Sequence, residues 1–400
     1  MRIRILYLVC SLCAYLRMYR KNFTKLGYKN VEILVHGIMY LEGKVNCKKI
    51  AESYKEKINH QRLIEFLNRG KFPLRQVIEE RVNKLLEITV KHKKNVEDIL
   101  GEYIIFSIDP TDFKKYKGKK TQGVRYSGDG KSKYLAHTVV MSAIIYGKTT
   151  IPFKQILYWG KKAKKGRLQT KAEIFLSLAK KANKYLNNIK GRLRKLKKIV
   201  VFDGEGAKET ILKYFHSNPD WQGFVTKFPR TRNLSFNEEK IHIRKYLSNL
   251  TQKDFQSFLF NGKAIYFHTF RASIPSLAFL GECSFIVIQT QKGNLSQKTF
   301  RILFTNISSI STLQFLTIYK RRWLQETYHQ ILKDSFGLKS SKHRRLVAFF
   351  RLIELGNLAY CFLESQRLKS SIFVDSLSSI RQALLLNQSA LVSIKHNLAA

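Results

Sequence analysis

Tyr103-Ile104-Ile105-Phe106-Ser107-Ile108-Asp109 is a short run of β-branched and aromatic residues closed by a carboxylate. Its composition predicts a buried strand. Ile199-Val200-Val201-Phe202-Asp203 repeats the pattern. Between them, residues 137–145 and 149–153 read as strands joined by a turn at Gly147, and residues 170–186 carry the 3.6-residue period of a helix. A helix over 207–215 and a strand over 222–228 follow. The reading is an α/β unit in which two parallel-type strands each end in an aspartate, and α/β sheets place their sites at the C-terminal ends of such strands.

Outside this unit the texture changes. Residues 233–306 offer short strands at 241–244, 264–270, 284–289 and 300–304, separated by Asn261-Gly262 and Lys292-Gly293-Asn294 turn signals. Only residues 255–259 suggest a helix there, so the segment reads as a β-rich insertion. From Leu313 to about Leu363 the chain is helical, and 372–394 reads as an amphipathic helix. Toward the N-terminus, residues 31–41 form an apolar run closed by Gly43. Asn46 caps a second helix, residues 62–67 form a third before Gly70, and 76–96 is a long amphipathic helix. Three short helices in a basic context allow a helix-turn-helix that reads bases, or a small bundle that only holds phosphates. The expected organisation is a helical N-terminal domain (1–100), an α/β core (101–232), the insertion (233–306), the rest of the core (307–365) and a helical C-terminal tail (366–400).

The 400 residues carry 73 Lys or Arg against 28 Asp or Glu, a net charge of +45. With 44% hydrophobic residues, only 6 Pro and 21 Gly, that charge belongs to folded surface rather than to a disordered tail. Such an excess repels itself and calls for a polyanion, nucleic acid first and anionic membrane second; small-metabolite enzymology is disfavoured. Five cysteines do not make a disulfide scaffold. Cys10 and Cys13 form a C-x-x-C pair without a second pair, inside the apolar run 5–16, and read as packing residues. That run is too short to span a bilayer, which takes roughly 20 residues, and no other stretch reaches spanning length. The expectation is a soluble, cytoplasmic, nucleoid-associated protein with no membrane partner. Between Tyr146 and Val200 stand 17 basic residues and one acid, Glu173. They include Lys161, Lys162, Lys164, Lys165 and Arg167, then Arg192, Arg194, Lys195, Lys197 and Lys198. A stripe without pairing acids beside two strand-terminal aspartates predicts contact with a phosphate backbone.

Two aspartates at neighbouring strand ends are hard oxygen ligands of the kind Mg²⁺ prefers. A third carboxylate would let the set hold two ions about 3.5–4 Å apart. Residues 318–338, IYKRRWLQETYHQILKDSFGL, offer it. Tyr319, Arg322, Glu326, His329 and Lys333 are spaced 3, 4, 3, 4 and share one helical face. Leu324, Ile331 and Leu338 with Trp323 and Tyr328 make a separate apolar side. Glu326 is the candidate ligand, Arg322 and Lys333 candidate holders of phosphate oxygens, and Tyr319 a hydrogen-bond donor or a platform for a base.

Tyr319-x2-Arg322-x3-Glu326-x6-Lys333 resembles the Y-(2)-R-(3)-E-(6)-K signature of the IS4-type DDE transposases at every signature position. Arg322-Trp323, Phe336-Gly337-Leu338 and the preceding Leu303-Phe304-Thr305-Asn306 are similar to the same region of that family. So are Ile108-Asp109-Pro110-Thr111-Asp112 around the first acid and Val201-Phe202-Asp203-Gly204-Glu205-Gly206 around the second. Phe224-Val225-Thr226-Lys227, with Arg230 and Asn233, resembles the strand and basic stretch that follow. Departures are Gly204 where many relatives carry Arg, Thr226-Lys227 where an Arg is common, and Gln325 in place of a frequent Ile. Asp112 competes with Asp109, which is preferred as the residue ending the strand; Asp129 reads as a turn residue and Glu205 as displaced into a loop.

The resemblance implies a ribonuclease H-like catalytic core and cut-and-paste transposition. Asp109, Asp203 and Glu326 would hold two Mg²⁺ ions, with Mn²⁺ as a substitute. Tyr319, Arg322, Lys333, Lys227 and Arg230 would hold DNA. It also implies double-stranded DNA, transposon ends and target, as substrate, and a homodimer in the synaptic complex. The rivals are a metal-dependent nuclease of the same fold without strand transfer, and a DNA-binding relative without chemistry.

Overall fold

The strand that begins at Tyr103 runs past Asp109 to Lys114 in the computed structural model of the chain. The structure describes residues 11–41, 46–54, 58–92, 100–115, 121–128, 133–160, 169–189, 191–260, 263–289 and 300–369. Asp-Pro-Thr-Asp carries turn signals, yet the ladder with the next long strand continues through Pro110↔Val140 and Asp112↔Thr138. Tertiary pairing overrides the local signal. Asp109 therefore lies inside the strand, and Asp112 is on it too rather than in a loop.

In chain order, the helices α1 (Lys25–Tyr40), α2 (Cys47–Glu52), α3 (His60–Arg69) and α4 (Leu74–Lys91) come first. They are followed by β1 (Tyr103–Lys114), β2 (Arg125–Gly128), β3 (Lys133–Tyr146), β4 (Thr149–Leu157), α5 (Lys171–Asn187), β5 (Lys197–Phe202), α6 (Glu209–Ser217) and β6 (Gly223–Lys227). Next stand β7 (Asn233–Phe236), β8 (Glu239–His242), α7 (Ile243–Ser248), β9 (Gln256–Phe260), β10 (Lys263–Ser273), β11 (Glu282–Gln289) and β12 (Arg301–Thr305). The helices α8 (Thr312–Gln330) and α9 (Leu346–Lys369) close the described chain. The expected Asn46 cap is present, its side chain accepting from the Lys49 amide, and α5 opens with a reciprocal capping box of Thr170 and Glu173 that the periodicity alone did not give.

The fold is mixed α/β around one large, mostly antiparallel sheet of twelve strands. β1, β3 and β4 form an antiparallel meander; β5 then pairs parallel to β1, and β6 parallel to β5. The insertion strands are not a separate layer. β12 pairs antiparallel with β6, β11 with β12, β10 with β11, and β7 and β8 complete the edge. Residues 255–259, read from sequence as the one helical stretch of the insertion, fall largely in strand β9 (Gln256–Phe260), because β10 pairs with it residue by residue from Gln256↔Phe267 to Phe260↔Lys263. Residues 241–244, read as a strand, divide between the end of β8 and the start of α7, where the His242 side chain accepts from the Arg244 amide.

Alternation along the central strands sorts side chains to two faces. Ile104, Phe106, Ile108, Val200, Phe202 and Phe224 pack against α5 and α6 through Phe175, Leu178, Leu212 and Phe215. The opposite residues, Tyr103, Ile105, Ile199, Val201 and Val225, meet Phe315, Leu316, Ile318 and Tyr319 of α8. The sheet is thus sandwiched, and odd-numbered residues of β1 and β5 face α8.

Helices α1, α3 and α4 pack on α9, which also meets β4, and α2 packs on α1 and α3. Arg81 of α4 and Glu354 of α9 form a fully buried pair, Nε to Oε1 at 2.5 Å, and Arg81 also donates to the Pro152 carbonyl at 2.6 Å. Asn357 donates to Glu354 at 3.0 Å and accepts from the Tyr328 hydroxyl of α8 at 2.6 Å, so one buried network ties α4, β4, α8 and α9. Contrary to the sequence reading, α9 is long and apolar enough to cross a membrane, with a mean hydropathy of 1.6 in its best window. However, 78% of that window is buried in this fold. The segment 366–369 belongs to α9; the amphipathic helix expected over 372–394 lies outside the described residues, as do Cys10 and Asp129.

Candidate active site

Asp109 and Asp203 reach one face for a reason already set by parity. Asp109 follows Ile105 and Ser107 on the α8 side of β1, and Asp203 follows Ile199 and Val201 on the α8 side of β5. The two strands run parallel with Ile108 opposite Phe202, which brings the aspartates to adjacent strands at the same level. Asp203 turns the chain out of β5 by capping the 3₁₀ turn Gly204–Gly206, its Oδ1 accepting from the Gly204 amide at 2.6 Å. Gly206 is required there, since a Cβ would lie 2.5 Å from the Phe202 ring. Glu326 comes from α8, which starts at a Ser311/Gln314 capping box and crosses β1, β5 and β6.

Arg322 stands among the three acids. Its Nη1 is 2.6 Å from Glu326 Oε1 and 3.8 Å from Asp109 Oδ1, and its side chain is 5% exposed. Burial works against its charge, but Tyr319, Glu326, Asp203 and Asp109 around it hold the guanidinium more firmly protonated than usual. Its carbon Cζ lies 5.6 Å from the Tyr319 ring centroid, and its Nε is buried with no hydrogen-bond partner among the described residues. Lys227, at the end of β6, reaches Asp203 Oδ1 at 2.9 Å. Burial raises the Asp203 carboxyl, but the Lys227 hydrogen bond, the Gly204 amide and the nearby cations bring it below the ordinary range.

The helix beyond Glu326 departs from the expected single helix. After Gln330 the chain makes a π-helical turn, Ile331–Ser335, and ends at Gly337 in the left-handed region. Such wide turns occur disproportionately at functional sites. This one carries Lys333, whose ammonium donates to Thr111 Oγ1 at 2.9 Å, two residues beyond Asp109 on the same face of β1. Burial lowers the Lys333 pKa. Tyr319 is 6% exposed and its phenol is pushed up by burial, so its ring forms part of the wall against the sheet. Arg230 lies farther along and donates to the Phe300 carbonyl. Asp112 serves β2 and β3, accepting from Ser127, Tyr134 and Thr138 at 2.5, 3.1 and 2.6 Å.

Two side chains matter that sequence reasoning left without a role. His329, noted only as a member of the polar stripe, places Nδ1 3.5 Å from Asp109 Oδ2. Gln325, noted only as a departure from the family pattern, is fully buried and donates to the Met141 carbonyl at 2.8 Å. Met141 faces Asp109 across the β1–β3 ladder and adjoins the bulge between Met141 and Ala143 against β4. An amide in a helix reads as solvated surface, so its burial had no signal in the sequence. Trp323, expected on the apolar side, is instead 49% exposed.

The donor types suit a divalent cation, since Asp109, Asp203 and Glu326 supply hard carboxylate oxygens and remain partly exposed at 16%, 37% and 29%. Among the described residues no three His, Cys, Asp or Glu side chains gather closely enough to ligate one ion. In this conformation Arg322 and Lys227 carry the compensating positive charge.

The basic stretch 146–200 is less unpaired than its sequence suggests. Lys171 meets Glu205 at 2.6 Å and Lys197 meets Glu102 at 3.0 Å, partners contributed by distant parts of the chain. Lys161, Lys162, Lys164, Lys165 and Arg167 lie outside the described residues. Searched against protein-family models and against curated proteins, the chain matches none.

Proposed function

We propose that the chain is a DDE-type DNA transposase with a ribonuclease H-like core, cleaving DNA at the ends of an insertion sequence and joining the freed ends to a target. The observation that carries this reading is the convergence of Asp109, Asp203 and Glu326 on the α8 face around the Arg322 guanidinium. The order β4-β3-β1-β5-β6, an antiparallel meander extended by two parallel strands through helical crossovers, supports this reading by bringing Asp109 and Asp203 to adjacent strand positions. The Tyr319/Arg322/Glu326/Lys333 set and the net charge of +45 point the same way.

Asp109, Asp203 and Glu326 would hold two Mg²⁺ ions, or Mn²⁺ in their place. When bound, these supply activation of the attacking oxygen and stabilisation of the leaving oxygen. Arg322 and Lys227, no longer needed to neutralise the carboxylates, are then available to phosphate oxygens, and Arg322 Nε is a buried donor without a partner. Lys333 is held at the same site by Thr111. In the first step water attacks the phosphorus and the bond to the 3′-oxygen breaks, leaving a 3′-hydroxyl and a 5′-phosphate. In the second that hydroxyl attacks another phosphodiester, so one phosphodiester forms as one breaks. No protein nucleophile is consumed. DNA ends acting in pairs would require two copies of the chain.

The test incubates purified protein and Mg²⁺ with a duplex carrying the inverted repeats that flank the gene, scoring nicking and strand transfer. Glu326→Ala is expected to abolish both while leaving duplex affinity within about threefold, because a carboxylate contributes nothing to phosphate neutralisation. Cleavage that survives Glu326→Ala would sink the site assignment. Nicking without strand transfer would select the nuclease reading.

A further inference from the structure

On the side of the sheet away from Asp109, Asp203 and Glu326, α4, β4 and α5 enclose a cleft of about 510 Å³. Arg75 and Glu79 of α4, Lys154 of β4, and Lys181, Lys184 and Tyr185 of α5 line it. Glu79, the acid in this lining, is already paired with Arg75 at 3.0 Å. Lys181 and Lys184 have no ion-pair partner among the described residues, and both are exposed. Lys154 is half-buried; burial lowers its pKa, Glu79 opposes the shift, and the neighbouring Lys181 and Arg75 charges add to it. Folding therefore brings together four cations from three separate elements, with one carboxylate, Glu79, shared between Arg75 and Lys154. Like charges gathered in this way cost stability unless an anion shares the cleft.

We infer that this cleft is a second DNA-backbone site, one that grips duplex outside the cleavage site. The partner identity rests on the proposed function; the location rests on the cleft itself. Its chemistry suits phosphate rather than base. Tyr185, its aromatic side chain, packs its ring on Phe153 at 5.4 Å and turns its hydroxyl to Asn83, leaving no free platform on which a base would stack. Lys and Arg side chains converging from several elements match a row of phosphates, which positions a duplex without reading its sequence. The cleft also lies where the N-terminal helices meet the core, since α4 supplies one wall and β4 and α5 the others. A duplex held there bridges the two regions of the chain. It cannot be the strand under attack, because the carboxylates face α8 while this cleft opens on the α5 side.

The experiment measures binding of a fluorescein-labelled duplex of mixed sequence by anisotropy over a series of salt concentrations, using the full chain. Lys181→Gln/Lys184→Gln is compared with wild type and with Lys240→Gln/Lys245→Gln. The latter removes the same charge from exposed positions in β8 and α7, at the other end of the sheet. Each lost phosphate contact lowers the slope of log affinity against log salt by about 0.9. The cleft variant should therefore flatten the slope by about 2, and the control should leave it near that of wild type. Circular dichroism melting checks that both variants stay folded, and the single substitution Lys184→Gln, expected to flatten the slope by about 1, stands in if the double variant does not. A cleft variant with the wild-type slope would overturn the proposal, as would a control that flattens it equally. Wild type showing no salt-dependent duplex binding would sink the DNA reading itself, a different outcome from either.

Discussion

Gln325 donates from Nε2 to the Met141 carbonyl at 2.8 Å, and this single bond fastens the helix bearing Glu326 to the strand that faces Asp109. Gln325 is buried completely, so its loss is not repaired by water. Gln325→Leu should cost about 1–3 kcal/mol, the penalty of leaving a buried carbonyl without its donor. Thermal melting checks that figure. Because the substitution also frees α8 to shift against β3, Mg²⁺-dependent nicking should fall further than stability alone accounts for at temperatures well below the melt. Activity equal to wild type at such temperatures would remove Gln325 from the site.

Arg322 neutralises carboxylates that would otherwise repel one another across β1, β5 and α8. Replacing it with Gln should lower the melting temperature in EDTA. Added Mg²⁺ should raise the melting temperature of Arg322→Gln by more than it raises that of wild type, since an ion that binds only the folded state stabilises it by mass action. Equal shifts would mean that the carboxylates do not bind the ion together.

His137 is buried beneath Phe349, with ring centroids 4.3 Å apart, and its Nε2 sits 2.7 Å from the Gln122 carbonyl oxygen. Burial, against the Gln122 hydrogen bond, pushes its pKa down from 6.5 to about 4. The unfolded chain thus binds a proton near pH 6.5 that the folded chain refuses until about pH 4. Stability is fully present above pH 6.5 and declines as pH falls through that window, at about 1.4 kcal/mol per unit for one such group. His137→Gln, which keeps a donor for Gln122, should make the dependence shallower by that amount in urea denaturation at pH 5 against pH 7. An unchanged slope would mean that this ring is not the group excluded.

Removing one partner of the Arg81–Glu354 pair leaves a charge buried alone. Arg81→Met should cost about 3–5 kcal/mol, whereas Arg81→Met with Glu354→Leu should recover part of that loss, because no isolated charge remains. A double-mutant cycle by urea denaturation measures the difference. Additive losses would show that the two side chains do not act as a pair.

Much of the architecture was legible because it rests on local periodicity. The apolar runs at Tyr103 to Asp109 and at Ile199 set two central strands correctly, and the 3.6-residue period over 170–186 set α5. What escaped depends on partners far along the chain. Residues 256–260 are β only because β10 lies beside them, and β1 continues past Asp109 only because β3 offers a ladder. The spacing of Tyr319, Arg322, Glu326 and Lys333 gave the polar face of α8, but a uniform 3.6-residue period cannot express the π turn at Ile331–Ser335. Likewise, a basic stretch shows its charge in sequence but not its partners, so Glu205 and Glu102 came into view only in three dimensions.

The pairing of β12 with β6 has a mechanical corollary. The insertion strands are hydrogen-bonded through β12 into the same sheet that carries β5 and Asp203, with Val225↔Thr305 and Thr226↔Phe304 as the seam. A hinge at that seam would have to break backbone bonds in the middle of a sheet. The insertion therefore behaves as a stiff outrigger. A load applied at β10 or β11 is delivered through β12 as a tilt of β6, the strand beside β5 and Asp203, whereas β7 joins β10 through the pair Ser273↔Ser235 and can give there.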